Sequence, residues 1–180
     1  MWVDVRIPYS ESGKLADAYN QALQESSANW ILFLDHDVFL ANPLWYEIIQ
    51  NAIEILSSHD PKAAVIGCRA GGERHKRTMR QKGEPNDSIE YHIQQSMKRY
   101  WEHRNSVVKI NEHVAGYFLL VNKDIAKTVG FRQVKAGINN IDQDFGARIL
   151  ESGYNIYELP GLYIYHRRGM KHLQNEFRNG

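Results

Sequence analysis

Apolar and polar positions change rhythm several times along the chain, and each change marks an element. Val3, Val5 and Ile7 alternate with polar residues and stop at Pro8, the pattern of a short strand ending in a loop. Ser10 to Gly13 reads as a turn. Leu15, Ala18, Tyr19, Ala22 and Leu23 then recur at helical spacing as far as Ser26-Ser27. Trp30 to Leu34 is an unbroken apolar run, as in a strand covered on both faces. Asn42-Pro43 has the form of an N-cap followed by proline at the first helical position, which predicts a helix to about Leu56. Ala63 to Cys68 is a second short buried strand.

The character changes at Arg69. From there to Gly83 the chain is polar, with Arg69, Arg74, Lys76, Arg77, Arg80 and Lys82 against Glu73, and a mobile basic loop is expected over about residues 69–87. Ile89 to Trp101 predicts a helix and Val114 to Val121 a strand. Ile141 to Leu150 predicts a helix stopped at Gly153, and Ile156 to Leu159 and Leu162 to Tyr165 two short strands. After Gly169 the tail is polar and expected to fray. Strands alternating with helices predict an α/β fold, with helices flanking a mostly parallel central sheet. At 180 residues, with no internal repeat, residues 1–180 are expected to form a single domain.

Composition narrows the function classes. A formal net charge of +1 gives no argument for nucleic acid or a membrane as partner. Cys68 is the only cysteine, which excludes a disulfide framework and an intrachain thiolate zinc cluster and fits a reducing compartment. The first residues lack a basic flank and apolar signal core, and no apolar run approaches the ~20 residues of a bilayer span. A soluble, cytoplasmic protein is expected, which still leaves a lipid-linked acceptor open.

Candidate chemistry sits directly after the Trp30–Leu34 run, where Asp35 and Asp37 flank His36. In open α/β sheets ligands bind beyond the carboxyl ends of the strands. Two carboxylates there suit Mn²⁺ or Mg²⁺ bridging phosphate oxygens. His36 should point to the other side; it is counted with the nucleotide-side residues and given no chemistry of its own.

Several ordered segments resemble family-two glycosyltransferases. Ala18-Tyr19-Asn20-Gln21-Ala22-Leu23 is similar to the family's helix bearing A-x-N, and Trp30 to Asp37 to its strand ending in D-x-D. Val114 to Val121 resembles the strand after the donor half. Val129-Gly130-Phe131, Ile141-Asp142-Gln143-Asp144-Phe145, Arg148 and Gly153-Tyr154 follow the family's later block, with His166 before Arg167-Arg168-Gly169. The resemblance implies a GT-A-type fold and transfer of a sugar from a nucleotide-sugar, UDP-sugar before GDP-sugar, to a carbohydrate, glycolipid or protein hydroxyl. It implies Asp37 as a metal ligand, Asp35 on the metal or the ribose, and His166 as third ligand. Asp142 becomes the general base of an inverting transfer, and Asp144 an acceptor contact or a brace. Gly116 and His113, with Glu112 beside it, would line the acceptor side.

Only one strand precedes the A-x-N helix, where the family carries a longer base-binding block. Either Val3–Pro8 with Pro8, Tyr9 and Ser10 replaces that block, with Tyr9 near the base, Lys14 and Arg69 near phosphate and Asn20 counted among the nucleotide-sugar contacts, or the base-binding half is absent or supplied by a partner. The second case would invite a homodimer. The family's E-D pair reads Ile141-Asp142 here, so one acid is lost. The basic loop either closes over donor phosphates or is a solvated segment. Competing readings are a metal-dependent nucleotidyltransferase or related phosphate enzyme, and a non-catalytic nucleotide-sugar-binding module. The basic loop lacks the aromatics that stacking on nucleic-acid bases needs.

Overall fold

The computed structural model describes residues 2–71, 88–134 and 140–166. The basic loop beyond Gly71 and the tail after Gly169 lie outside the described residues. The strands are β1 (Val3–Arg6), β2 (Trp30–Leu34), β3 (Val38–Phe39), β4 (Ala63–Gly71), β5 (Val108–Ile110), β6 (Phe118–Asn122) and β7 (Asn155–His166). The helices are α1 (Leu15–Glu25), α2 (Trp45–His59), α3 (Ile89–Glu102), α4 (Lys123–Val129) and α5 (Ile141–Glu151). They form a sheet ordered β1-β2-β6-β4-β7-β3, with β5 also on β7. Strands β1, β2, β4 and β7 run one way, as the α/β reading expects, while β6, β3 and β5 run against them.

Alternate side chains of the central strands feed two cores. Leu32, Leu34, Ile66, Phe118, Leu120 and Ile164 pack with Ile49, Ile53 and Leu56 of α2 on one face. Ile31, Phe33, Val65, Leu119 and Val121 pack with α1, α4 and α5 on the other. Burial on both faces is why β2 reads as a continuous apolar run rather than an alternating one.

Four sequence expectations change. The strand predicted from Val114 starts only at Phe118, because Val114 packs into the space over Gly67 and the Gly116 amide is spent on a carboxylate instead of the ladder. The two strands at 156–165 are one twelve-residue strand, whose pairing with β4 jumps from Cys68↔Leu159 to Arg69↔Tyr163. Gly161 lies in that bulge, where a Cβ would come 2.8 Å from the His103 carbonyl oxygen. Asn42 makes a turn before α2 rather than capping it: its Oδ1 accepts from the Leu44 amide at 2.9 Å, its carbonyl accepts from Trp45 N at 3.1 Å, and the helix starts at Trp45. Arg69, read as the start of a loop, lies within β4.

The bottom of the sheet is tied by Asp60, just after α2. Its carboxylate accepts from Tyr157 Oη and Asn155 Nδ2, each at 2.6 Å, and from the Lys62 amide at 3.0 Å. Burial alone would raise its pKa, but the bonds from Tyr157, Asn155 and Lys62 outweigh that and hold it below the ordinary aspartate value. A lowered folded pKa means stability that is present at neutral pH and lost as pH falls from the ordinary carboxylate range through the lower folded value. Asp60→Asn should therefore destabilise the protein by about 1–3 kcal/mol at neutral pH. Urea melts of wild type and variant should converge below about pH 4; a gap that stays constant with pH would refute the role assigned to the charge.

Candidate functional site

Asp35, His36 and Asp37 form the turn that leaves β2 at its carboxyl end. The Asp35 amide donates to Tyr117 O at 3.1 Å, continuing the antiparallel β2–β6 ladder past its last pair, Leu34↔Phe118. The Val38 amide donates back to Asp35 O at 3.3 Å, and the chain enters the two-residue strand β3. There Val38 pairs with His166 and Phe39 with Tyr165, so β3 carries the acidic turn to the last residue of β7.

The pairing puts the histidine against the acids. His166 Nε2 lies 3.0 Å from Asp37 Oδ1 and 3.7 Å from Asp35 Oδ2, and its ring packs 5.0 Å from that of Tyr117. One ligand atom from each of Asp35, Asp37 and His166 falls within 4.8 Å of the others. Two carboxylate oxygens and an imidazole nitrogen fit Mn²⁺, and Mg²⁺ less closely, since it prefers all-oxygen sites. Asp37 and His166 are well covered, whereas the Asp35 side chain is 43 % exposed. Burial raises the Asp35 pKa; Asp37 and Asp142 push it the same way, against His166 and His36. A divalent cation would offset that concentration of negative charge.

Asp142, in the first turn of α5, lies close enough to Asp35 for its charge to act on that carboxylate. Its Oδ2 accepts from the Gly116 amide at 2.8 Å and its Oδ1 from the Gln143 amide at 2.9 Å. A side chain at Gly116 would press on Asp142, with Cβ–Cβ at 3.3 Å. Burial raises the Asp142 pKa, while the Gly116 and Gln143 amides and His113 oppose the rise. Gly116 and Tyr117 are consecutive, so the amide of one residue holds the Asp142 carboxylate and the carbonyl of the next holds the Asp35 main-chain amide.

The remaining expected residues divide. Pro8, Tyr9 and Ser10 follow β1, with Tyr9 77 % exposed and Ser10 Oγ accepting from the Lys14 amide at 3.0 Å. Asn20 is committed elsewhere: its carboxamide donates to Phe131 O and accepts from Phe131 N, both at 2.9 Å, tying α1 to the loop after α4. Arg69 forms an ion pair with the buried Glu158. His113 backs onto Gly146 of α5, where a Cβ would lie 2.6 Å from the His113 Cβ. Asp144 is a brace: Arg148 bonds it through Nε at 2.9 Å and Nη2 at 2.7 Å, while Arg148 Nη1 donates to Val129 O at 2.6 Å.

Two features escaped the sequence reading. Strand β3 is too short to leave a periodic signal. Tyr117 was visible only as part of an apolar run, although its carbonyl and ring touch both halves of the acid–histidine cluster. Tyr19, on the A-x-N helix, is buried between Phe33 and Phe131, and burial with the charges of Asp35 and Asp142 raises its pKa far above the usual range.

The pattern of glycosyl transferase family 2 covers residues 3–130, well over half the chain, and the chain belongs to that family. No curated protein matches it. The family match stops short of Asp142 and His166, which come to the site through α5 and β7. Among the described residues no helix is long and apolar enough to cross a membrane.

The cluster makes a direct prediction. Calorimetric titration of Mn²⁺ should give binding that Asp37→Ala abolishes and His166→Ala weakens by at least about tenfold. Unchanged affinity in a folded Asp37→Ala protein would rule the cluster out as a cation site.

Proposed function

We propose that this member of glycosyl transferase family 2 transfers a sugar from a nucleoside-diphosphate donor, UDP-sugar before GDP-sugar, to an acceptor hydroxyl with inversion. The observation that supports this reading best is the Gly116–Tyr117 unit, whose amide bonds Asp142 and whose carbonyl bonds the Asp35 amide. It joins a carboxylate suited to accept a proton to the acid–histidine cluster suited to a cation.

In this reading Asp35, Asp37 and His166 would hold Mn²⁺ or Mg²⁺. When bound, the cation supplies positive charge against the diphosphate oxygens on which negative charge grows as the glycosidic bond breaks. Tyr9, exposed at the end of β1, offers a ring face to the base. Asp142 accepts the acceptor's hydroxyl proton as that oxygen attacks the anomeric carbon. The new carbon–oxygen bond forms as the bond to the diphosphate oxygen breaks on the opposite face, and the nucleoside diphosphate leaves. Asp142 then returns the proton to solvent. The Gly116 and Gln143 amides fix the carboxylate's direction while leaving each oxygen a second lone pair for the acceptor.

Asp142→Asn should lower kcat by about 10²–10⁴-fold with donor binding nearly unchanged. NMR of the wild-type product should show the opposite anomeric configuration from the donor; a retained configuration would sink the assignment of Asp142 as base. Because burial raises the Asp142 pKa, its base form appears only above the ordinary aspartate value. Activity should be full above that raised pKa and fall as pH drops through it. The acidic limb of kcat/KM should thus lie above about pH 4, and a limb at or below that value would remove the support the environment gives to the base role.

A further inference from the structure

Among the described residues the outer edge of β7 is paired at two places. β5 covers it as far as Val108↔Glu158, and β3 covers it at Phe39↔Tyr165 and Val38↔His166. On the inner edge β4 pairs with β7 as far as Gly71↔Tyr165, so His166 lies one residue beyond that ladder and is held in the sheet by the two-residue β3 alone. Helix α3 packs against β7, and its contacts are specific. His92, 1 % exposed, stacks on Tyr165 with ring centroids 3.8 Å apart and planes 10° apart. Its Nδ1 lies 2.7 Å from Tyr163 Oη. Gly71, at the end of β4, leaves the room that this hydroxyl fills.

Successive side chains of a strand point to opposite faces. Holding Tyr163 and Tyr165 on one face therefore fixes the backbone orientation that sends His166 to the other, toward Asp37. Tyr165 also lies nearly parallel to Phe39, the second residue of β3, at 5.7 Å and 26°. We propose that His92 is a positioning residue for His166: stacked on Tyr165 and hydrogen-bonded to Tyr163, it sets the end of β7 and so the nitrogen that completes the cation cluster. His92 is buried, so it acts through the two tyrosines and not on substrate. The inference rests on reading Asp35, Asp37 and His166 as cation ligands.

Three measurements test it: Mn²⁺ affinity by calorimetry, the His166 ring nitrogens by ¹⁵N NMR in metal-free protein, and thermal unfolding. His92→Ala should weaken Mn²⁺ binding by about ten- to a hundredfold and move the His166 resonances in a protein that still unfolds cooperatively. His92→Phe, which keeps an aromatic ring on Tyr165, should recover most of the affinity. Should His92→Ala fail to fold, Tyr163→Phe removes only the hydroxyl and should give a smaller loss of the same sign. Folded variants with wild-type affinity and unmoved His166 signals would overturn the role of His92, while loss of binding in Asp37→Ala leaves the cation reading standing. If wild type takes up no Mn²⁺, the cation reading fails and this inference falls with it.

Discussion

The site depends on where an antiparallel strand begins. β6 enters the sheet between β2 and β4, and the ladder it makes with β2 runs one bond beyond its last paired residues, from the Asp35 amide to the Tyr117 carbonyl. That bond fixes the acidic turn at the carboxyl end of β2. The residue before Tyr117 then turns its amide away from the sheet to the Asp142 carboxylate. A buried main-chain amide must find an acceptor, and here the acceptor is the side chain assigned to proton transfer. The small space at Gly116 makes the approach possible, since a Cβ would already crowd Asp142.

A second constraint closes the other side of the cluster. β3 has two residues, yet it pairs with the last two of β7 and so converts a separation of 129 residues between Asp37 and His166 into a 3.0 Å contact. Its weakness as a strand is compensated by rings: Phe39 on Tyr165, and Tyr165 on His92. The cluster is therefore assembled by tertiary pairing and not by local sequence. This is why the acids are conspicuous in the sequence and the geometry that uses them is not.

Legibility along the chain follows the same division. β2, α1, α3 and α5 were readable because burial leaves a run or a 3.6-residue period. The start of β6 was misread because Val114 and Ala115 are apolar like the strand that follows. Val114 is buried by packing over Gly67 and Ala115 half-buried against the core on one face of the sheet, not by ladder pairing. β7 was split in the reading because Pro160-Gly161 is a breaker pair, whereas the sheet absorbs it as a bulge. Among site residues, Asp35, Asp37, Asp142 and His166 do converge. Asn20, equally prominent in the sequence pattern, is used to bind Phe131. Motif position alone does not distinguish a ligand contact from a carboxamide that closes two backbone groups.

The two acids in the first turn of α5 show how the fold separates roles that their sequence leaves equivalent. Asp144 faces Arg148 one helical turn on, and the guanidinium binds it at two points while its third nitrogen reaches the end of α4. That charge is paired through Oδ2, which takes both the Nε and Nη2 contacts, and this suits a brace between helices. Asp142, two residues earlier, accepts from the Gly116 and Gln143 main-chain amides, with His113 as the charge that opposes the rise in its pKa. Amides orient a carboxylate without removing its charge, and partial burial makes that charge costly. A carboxylate so held binds a proton more readily than a solvated one. In the proposed transfer that readiness is used on an acceptor hydroxyl presented beside the acid–histidine cluster.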